Sequence, residues 1–250
     1  MNKAGVFFKF SDLIMHYPRN YKKYPSVIVE KGISFDDRYG RFTKADIFYK
    51  NAEGKRPVLV NVHGGGFVKG DKRHRATFCA YFADMGWFVL NINYRLPPHT
   101  FPAGIEDTVS ALNLLPGLFE KYNLDLDKIV ITGDSAGAYY AAAGAVAATN
   151  EDFRIGLSLP ELKVKIRAFA GFCGAYHLEK LLAAKFPLNM AESVAEALLG
   201  YKLDANPGSI KDFVYADYIN LLPFVTKDFP ESFILYSKYD AFCGGQGELL

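Results

Sequence analysis

The hydrophobic positions of the chain fall into short unbroken runs separated by stretches of helical spacing. Pro57–Val62 is one such run, with Val58, Leu59, Val60 and Val62 in near succession, and Trp87–Tyr94, Ile129–Thr132, Ile166–Phe172 and Ser232–Ser237 repeat it. Runs without in–out alternation belong to strands covered on both faces. Between them Ala76–Met85, Ile105–Tyr122 and Ala136–Thr149 read as helices. Gly86 closes the first, and Pro116 must start, end or kink a helix within the second. Val27–Ser34 and Ala45–Tyr49 read as an opening pair of strands joined by the polar stretch Asp36–Arg41, with a turn at Asn51–Lys55. Strand alternating with helix predicts an α/β fold: a mostly parallel central sheet, helices on both faces and right-handed crossovers.

The rhythm fails in two places. Residues 1–24 mix aromatic and basic side chains, with a short helix expected around Phe10–His16 and prolines at 18 and 25. From Gly174 to Phe229 the composition is helical, over Leu178–Lys185 and Ala191–Leu199, and the segment is too long for a loop. Both fit a helical cap, so residues 1–250 are expected to form a single α/β domain with cap elements at about 1–24 and 175–225.

Composition narrows the class. Half of the residues are hydrophobic and 15% aromatic, enough to build a core and too apolar for disorder. The net charge of +2 is spread over the chain, against a nucleic-acid partner. The densest basic stretch, Lys69, Lys72, Arg73 and Arg75, reads as the solvated start of a helix, with attraction of an anionic substrate as its sharper alternative. Cys79, Cys173 and Cys243 form no C-x-x-C pair, which argues against a disulfide framework or a metal site and suits a reducing compartment. No stretch reaches the length of a membrane span, and Lys9 interrupts the apolar start of the chain before it could serve as a secretory signal. A soluble, cytoplasmic protein is the expectation.

Two motifs carry chemistry. Gly133-Asp134-Ser135-Ala136-Gly137 stands between the apolar strand Ile129–Thr132 and an Ala-rich helix. A serine on a tight strand-to-helix turn is lifted into the open at a helix N-terminus, where free N–H groups favour developing negative charge. The competing reading of Ser135 is an ordinary helix N-cap. His63-Gly64-Gly65-Gly66-Phe67 follows the strand Pro57–Val62. Glycines in succession let backbone amides turn inward on the oxygen that becomes negative in acyl transfer. Gly64, Gly65 and Gly66 are therefore assigned to an oxyanion hole, with the amides of Gly65 and Gly66 as the favoured donors and Ala136 as the third. His63 is expected to brace this loop, not to act as base, and Asp134 to support the nucleophile.

In this order the two motifs resemble those of the hormone-sensitive-lipase-like carboxylesterases of the α/β-hydrolase fold. A third segment agrees: Tyr94-Arg95-Leu96-Pro97-Pro98-His99-Thr100-Phe101-Pro102-Ala103 resembles that family's Y-R-L-A-P-x-x-x-(F/Y)-P-A stretch, and Glu106-Asp107 follows where the family also has an acidic pair. Pro98-His99 departs from the usual pair there. The resemblance implies an eight-stranded sheet, a cap from the N-terminal segment and an insertion after the sixth strand, and hydrolysis of short- to medium-chain acyl esters without a cofactor. It also implies a Ser–acid–His order, with Asp240, just past the strand Ser232–Ser237, as the acid.

The histidine is the gap. His16, His63, His74, His99 and His177 all precede Asp240, and Gly244–Leu250 reads like the start of a helix. The last strand and helix of the family are expected to be missing from this stretch of chain, leaving a hydrophobic sheet edge that promotes aggregation or leaves room for a homodimer. A longer parent chain, a non-catalytic member and a recruited histidine (His177 or His99) are the three explanations. The functional expectation is a serine hydrolase of small-molecule carboxylic esters acting through an acyl-enzyme. The alternatives are a small-molecule-binding member of the fold, as the gibberellin receptors are, and a kynurenine-formamidase-like amide hydrolase. Phe186, Leu188, Met190, Phe213 and Tyr215 are the guesses for the substrate pocket.

Overall fold

The computed structural model of the chain describes residues 3–182, 190–200, 207–240 and 242–250. In chain order the main elements are α1 (Lys3–Asn20), β1 (Ile28–Ser34), β2 (Lys44–Tyr49), β3 (Arg56–Val62), α2 (Ala76–Asp84), β4 (Phe88–Ile92), α3 (Ala103–Leu112), α4 (Leu115–Tyr122), β5 (Leu124–Asp134), α5 (Ala136–Thr149), α6 (Glu151–Gly156), β6 (Ala168–Phe172), α7 (Leu178–Leu182), α8 (Met190–Leu199) and β7 (Glu231–Leu235).

Seven strands pair among the described residues in the order β1-β2-β4-β3-β5-β6-β7. The first two joins are antiparallel, and the four from β4 to β7 are parallel. The uninterrupted apolar runs mark the buried middle of this sheet: Val58, Val60 and Val62 of β3, Phe88, Leu90 and Ile92 of β4, and Ile129 and Ile131 of β5 are all shut off from water. α5 runs against β5 and β6 and is buried from Ala136 to Ala147, which its alanines allow by keeping the helix close to the sheet.

The breaks in the sequence pattern have local causes. The stretch read as one helix over Ile105–Tyr122 is two, parted at Asn113–Leu114. Pro116 sits in the first turn of α4, where its missing N–H costs nothing. Asn123, left-handed at φ 49°, ends that helix. The N-terminal helix is much longer than Phe10–His16; its apolar residues face the protein at Ala4 and Phe8 and water at Phe10, Leu13 and Tyr17, which blurs the expected one-sided pattern. β7 forms one edge of the sheet, with Phe233 and Leu235 exposed.

The insertion after β6 is tied back at several points. The Phe101 amide donates to the Leu198 carbonyl of α8 at 2.7 Å, and the buried Tyr139 hydroxyl of α5 donates to Ile219 O at 2.9 Å. α1 joins it from the other end of the chain: the Ala4 amide donates to Ser193 Oγ at 3.1 Å.

Candidate active site

The strand register sets the site. Val62 pairs with Gly133, and Asp134 with Phe172, so the carboxyl ends of β3, β5 and β6 finish side by side. Ligands of open α/β sheets bind at this edge. The Ser135 amide then donates to Phe172 O at 2.8 Å, and the Cys173 amide to Leu235 O at 2.7 Å, which brings the end of β7 into the same row.

Ser135 has φ 52° and ψ −121°, a left-handed conformation that a residue with a side chain holds only under constraint. Its neighbours provide the constraint. A Cβ at Gly137 would overlap the Val62 carbonyl, and one at Gly133 would overlap the Gly137 backbone. Both glycines are therefore required by the close crossing of β3, β5 and α5. The Ser135 side chain makes no capping bond to its helix, which removes the N-cap reading.

The glycine loop is built the same way. Gly65 and Gly66 have φ of 145° and 61°, and a Cβ at 65 would overlap Lys69 O. At 66 it would overlap the ring of Phe8, which α1 lays over the loop. The amides of Gly65, Gly66 and Ala136 have no protein acceptor among the described residues. Gly64 is different, and its place in the oxyanion hole has to be revised: its amide already donates to Asp134 Oδ1 at 3.1 Å. Gly64 anchors the loop; it is not a free donor.

Asp134 in turn is held by Arg75, whose Nε donates to Oδ1 at 2.6 Å while Nη2 meets Oδ2. Burial pushes the Asp134 carboxyl up, but the Arg75 guanidinium and the Gly64 amide outweigh it and leave the group below the usual carboxylate range. The Arg75–Asp134–Gly64 chain thus locks the glycine loop to the serine turn. Arg75 was missed in the sequence, where it was one of four basic residues at a helix start. Of that cluster Lys72 is also consumed, pairing with Asp46 at 3.1 Å.

His63 lies fully buried beneath the loop. Its Nδ1 donates to Gly64 O at 2.8 Å and its ring stacks on Tyr94 at 4.4 Å. Burial lowers its pKa to about 4, so it stays neutral. Arg95, from the third sequence motif, bonds Asp107 and Glu106 and reaches Ala103 O at 3.1 Å, closing the turn before α3.

Asp240 Oδ1 accepts from the amides of Phe242 and Cys243, each at 2.8 Å, and its carboxyl group is hydrogen-bonded to the Cys173 thiol. Cys243 is hydrogen-bonded to the Ser135 side chain, and burial pushes its thiol up to about 12, so it is protonated and no rival nucleophile at neutral pH. Among the described residues no histidine lines the serine's pocket. His177 sits at the start of α7, its amide on Gln246 Oε1 at 2.8 Å; His99 packs edge-on against Tyr39 and Phe42; and His16 and His74 meet each other at 3.0 Å.

The pocket at Ser135 is a small cavity of about 50 Å³ and is almost wholly apolar, with Phe8, Phe67, Leu181, Met190, Val194 and Phe242 in its wall beside Gly66. Of the residues guessed for it, Met190 is there, Phe213 and Tyr215 pack instead on Phe101, and Phe186 and Leu188 lie outside the described residues. No group of metal-ligating side chains occurs among the described residues, and no helix there is long and apolar enough to cross a membrane.

A parallel sheet with a strained strand-to-helix serine turn beside a glycine loop on the neighbouring strand is the arrangement of the α/β-hydrolase fold. Esterase B of Lactobacillus rhamnosis has the same fold, with a TM-score of 0.80 at 21% identity over 93% of this chain and 72% of its own. The chain belongs to the BD-FAE family, whose model matches residues 45–244. Among curated proteins it is similar to the probable carboxylic ester hydrolase LipM of Mycobacterium tuberculosis (29% identity over 208 residues, 81% of this chain and 46% of the relative). Esterase LipQ of the same organism is similar too (30% over 206 residues, 80% and 47%). The chain spans about half the length of these curated relatives.

Proposed function

We propose that the chain is a serine hydrolase of carboxylic esters with short to medium acyl groups, acting through an acyl-enzyme. The observation that carries this reading is the strained, uncapped Ser135 opening on an apolar pocket beside Gly66. In the proposed step Ser135 Oγ attacks the acyl carbon, and the amides of Gly65, Gly66 and Ala136 receive the oxyanion. Arg75 and Asp134 keep those donors still, so that little reorganisation is needed as charge develops. Asp240 would hold the tautomer of the imidazole that takes the Ser135 proton. Among the described residues no histidine lines the Ser135 pocket, and the Ser135 side chain is met by the Cys243 thiol. A cavity of about 50 Å³ suits an acyl group of a few carbons better than a long lipid chain.

The test is hydrolysis of p-nitrophenyl butyrate by the chain beside its Ser135→Ala variant. Turnover that disappears in the variant is expected; equal rates in the two would sink the proposal. The thiol at Ser135 favours one second reading, a member of the fold that binds an apolar small molecule without turning it over. Saturable binding of p-nitrophenyl butyrate with no Ser135-dependent release of p-nitrophenol would select it.

A further inference from the structure

α1 has two apolar sides. One faces the protein, where Ala4 is buried and Phe8 covers Gly66. The other faces water: Val6, Phe10, Leu13, Ile14 and Tyr17 are 52%, 64%, 74%, 55% and 78% exposed. At 3.6 residues per turn these five fall within an arc of about 100°. Tyr21, also exposed, prolongs the stripe beyond the helix end. Single exposed apolar residues are ordinary, but a continuous stripe along one helix marks a contact surface.

Charge indicates what covers it. Lys3, Lys9, Lys22 and Lys23 are exposed beside the stripe and at its two ends. The acid of α1, Asp12, is turned inward. It pairs with Arg19 at 3.5 Å and lies 3.9 Å from His74 Nε2. The stripe is thus bordered by cations and carries no outward carboxylate. A second copy of the chain is a poor match, since a two-fold pairing of α1 with itself would set lysine against lysine. A surface of negatively charged headgroups over an apolar interior matches both features. The helix is too short and too charged to cross a bilayer, which leaves it lying in the interface.

We propose that α1 docks in the plane of an anionic lipid surface, its Val6-to-Tyr17 stripe sunk among the acyl chains and its lysines on the headgroup phosphates. Phe7 stands next to the stripe, 6.1 Å from Phe242 in the wall of the Ser135 pocket. Docking would therefore bring that pocket to the lipid boundary, where apolar esters collect. This last consequence rests on the hydrolase reading; the docking itself does not.

The experiment is co-sedimentation with phosphatidylcholine vesicles and with vesicles of equal parts phosphatidylcholine and phosphatidylglycerol, read as bound protein without any turnover assay. The chain is expected to bind the mixed vesicles, and to bind less on neutral vesicles and in high salt. A Phe10→Ser, Leu13→Ser double variant should bind about tenfold more weakly or worse, since it withdraws two large apolar side chains from the interface. Its melting temperature should be unchanged, because both face water. A Lys22→Glu, Lys23→Glu variant should lose the preference for anionic vesicles and keep its fold. No binding to either vesicle, or equal binding by parent and double variant, overturns the proposal. So does a concentration-dependent dimer that the double variant abolishes, which would assign the stripe to a second copy.

Discussion

Replacing Arg75 by methionine removes the guanidinium that holds Asp134 and keeps most of the side-chain volume. Two contacts disappear, Nε to Oδ1 at 2.6 Å and Nη2 to Oδ2, and the Gly64 amide is left as the partner of the carboxylate. Breaking a buried pair in this way typically costs 3–5 kcal/mol, on the order of that for a fully enclosed charge. The Asp134 side chain keeps 34% of its exposure, so water can take part of the place of the lost donor, and about 2 kcal/mol is the better expectation. For a domain of this size that is a fall in melting temperature of roughly 4–8 °C. Adding Asp134→Asn removes the stranded charge, so the double variant should be more stable than the sum of the two single losses by about 1 kcal/mol. The pair also has a pH signature. The Asp134 carboxyl is lowered in the folded chain, so its contribution is present above its unfolded pKa, near 4, and is lost as pH falls through the folded value. Parent and Arg75→Met should converge in strongly acidic buffer. Urea melts of the four proteins at neutral and acid pH read all of this. Additive losses, or a gap that does not narrow in acid, would refute the lock.

Other outcomes follow from neighbouring residues. His63 is buried neutral with its pKa lowered to about 4, so the unfolded chain binds the extra proton between pH ~6.5 and ~4, and stability should fall by up to about 3 kcal/mol as pH drops through that window; a His63→Gln variant should flatten this slope in pH-resolved urea melts. Gly137→Ala would press its methyl into the Val62 carbonyl and is expected to destabilise the chain by about 2 kcal/mol or more, seen as a lower denaturation midpoint, whereas Gly117→Ala, with open space at its Cβ, should not. Arg95→Lys cannot reproduce the contacts to Asp107, Glu106 and Ala103 together and should cost about 1–3 kcal/mol in the same assay.

The parts of the molecule legible in the sequence are those fixed by backbone geometry. The G-x-S-x-G and triple-glycine motifs could be read because the turns they form exclude a Cβ at specific positions, and the apolar runs of β3, β4 and β5 because a strand covered on both faces has no polar alternation. What stayed hidden depends on pairings across the chain. Arg75 and Asp134 are far apart in sequence, and nothing local distinguishes Arg75 from Arg73, which remains exposed. Gly64 looked like its two neighbours until the Asp134 carboxylate was seen to take its amide. α1 was read too short because its apolar residues serve two surfaces at once.

Phe8 occupies the space that a side chain at position 66 would need, so part of the inner wall of the serine's pocket is borrowed from the far N-terminus. The size of that pocket is therefore not a property of the sheet alone. Whatever grips the outer side of α1, whether a surface, a fusion tag or a protease, also has a hand on the floor of the pocket. Trimming the first twenty residues to obtain a tidier fragment would change what the remaining protein can hold.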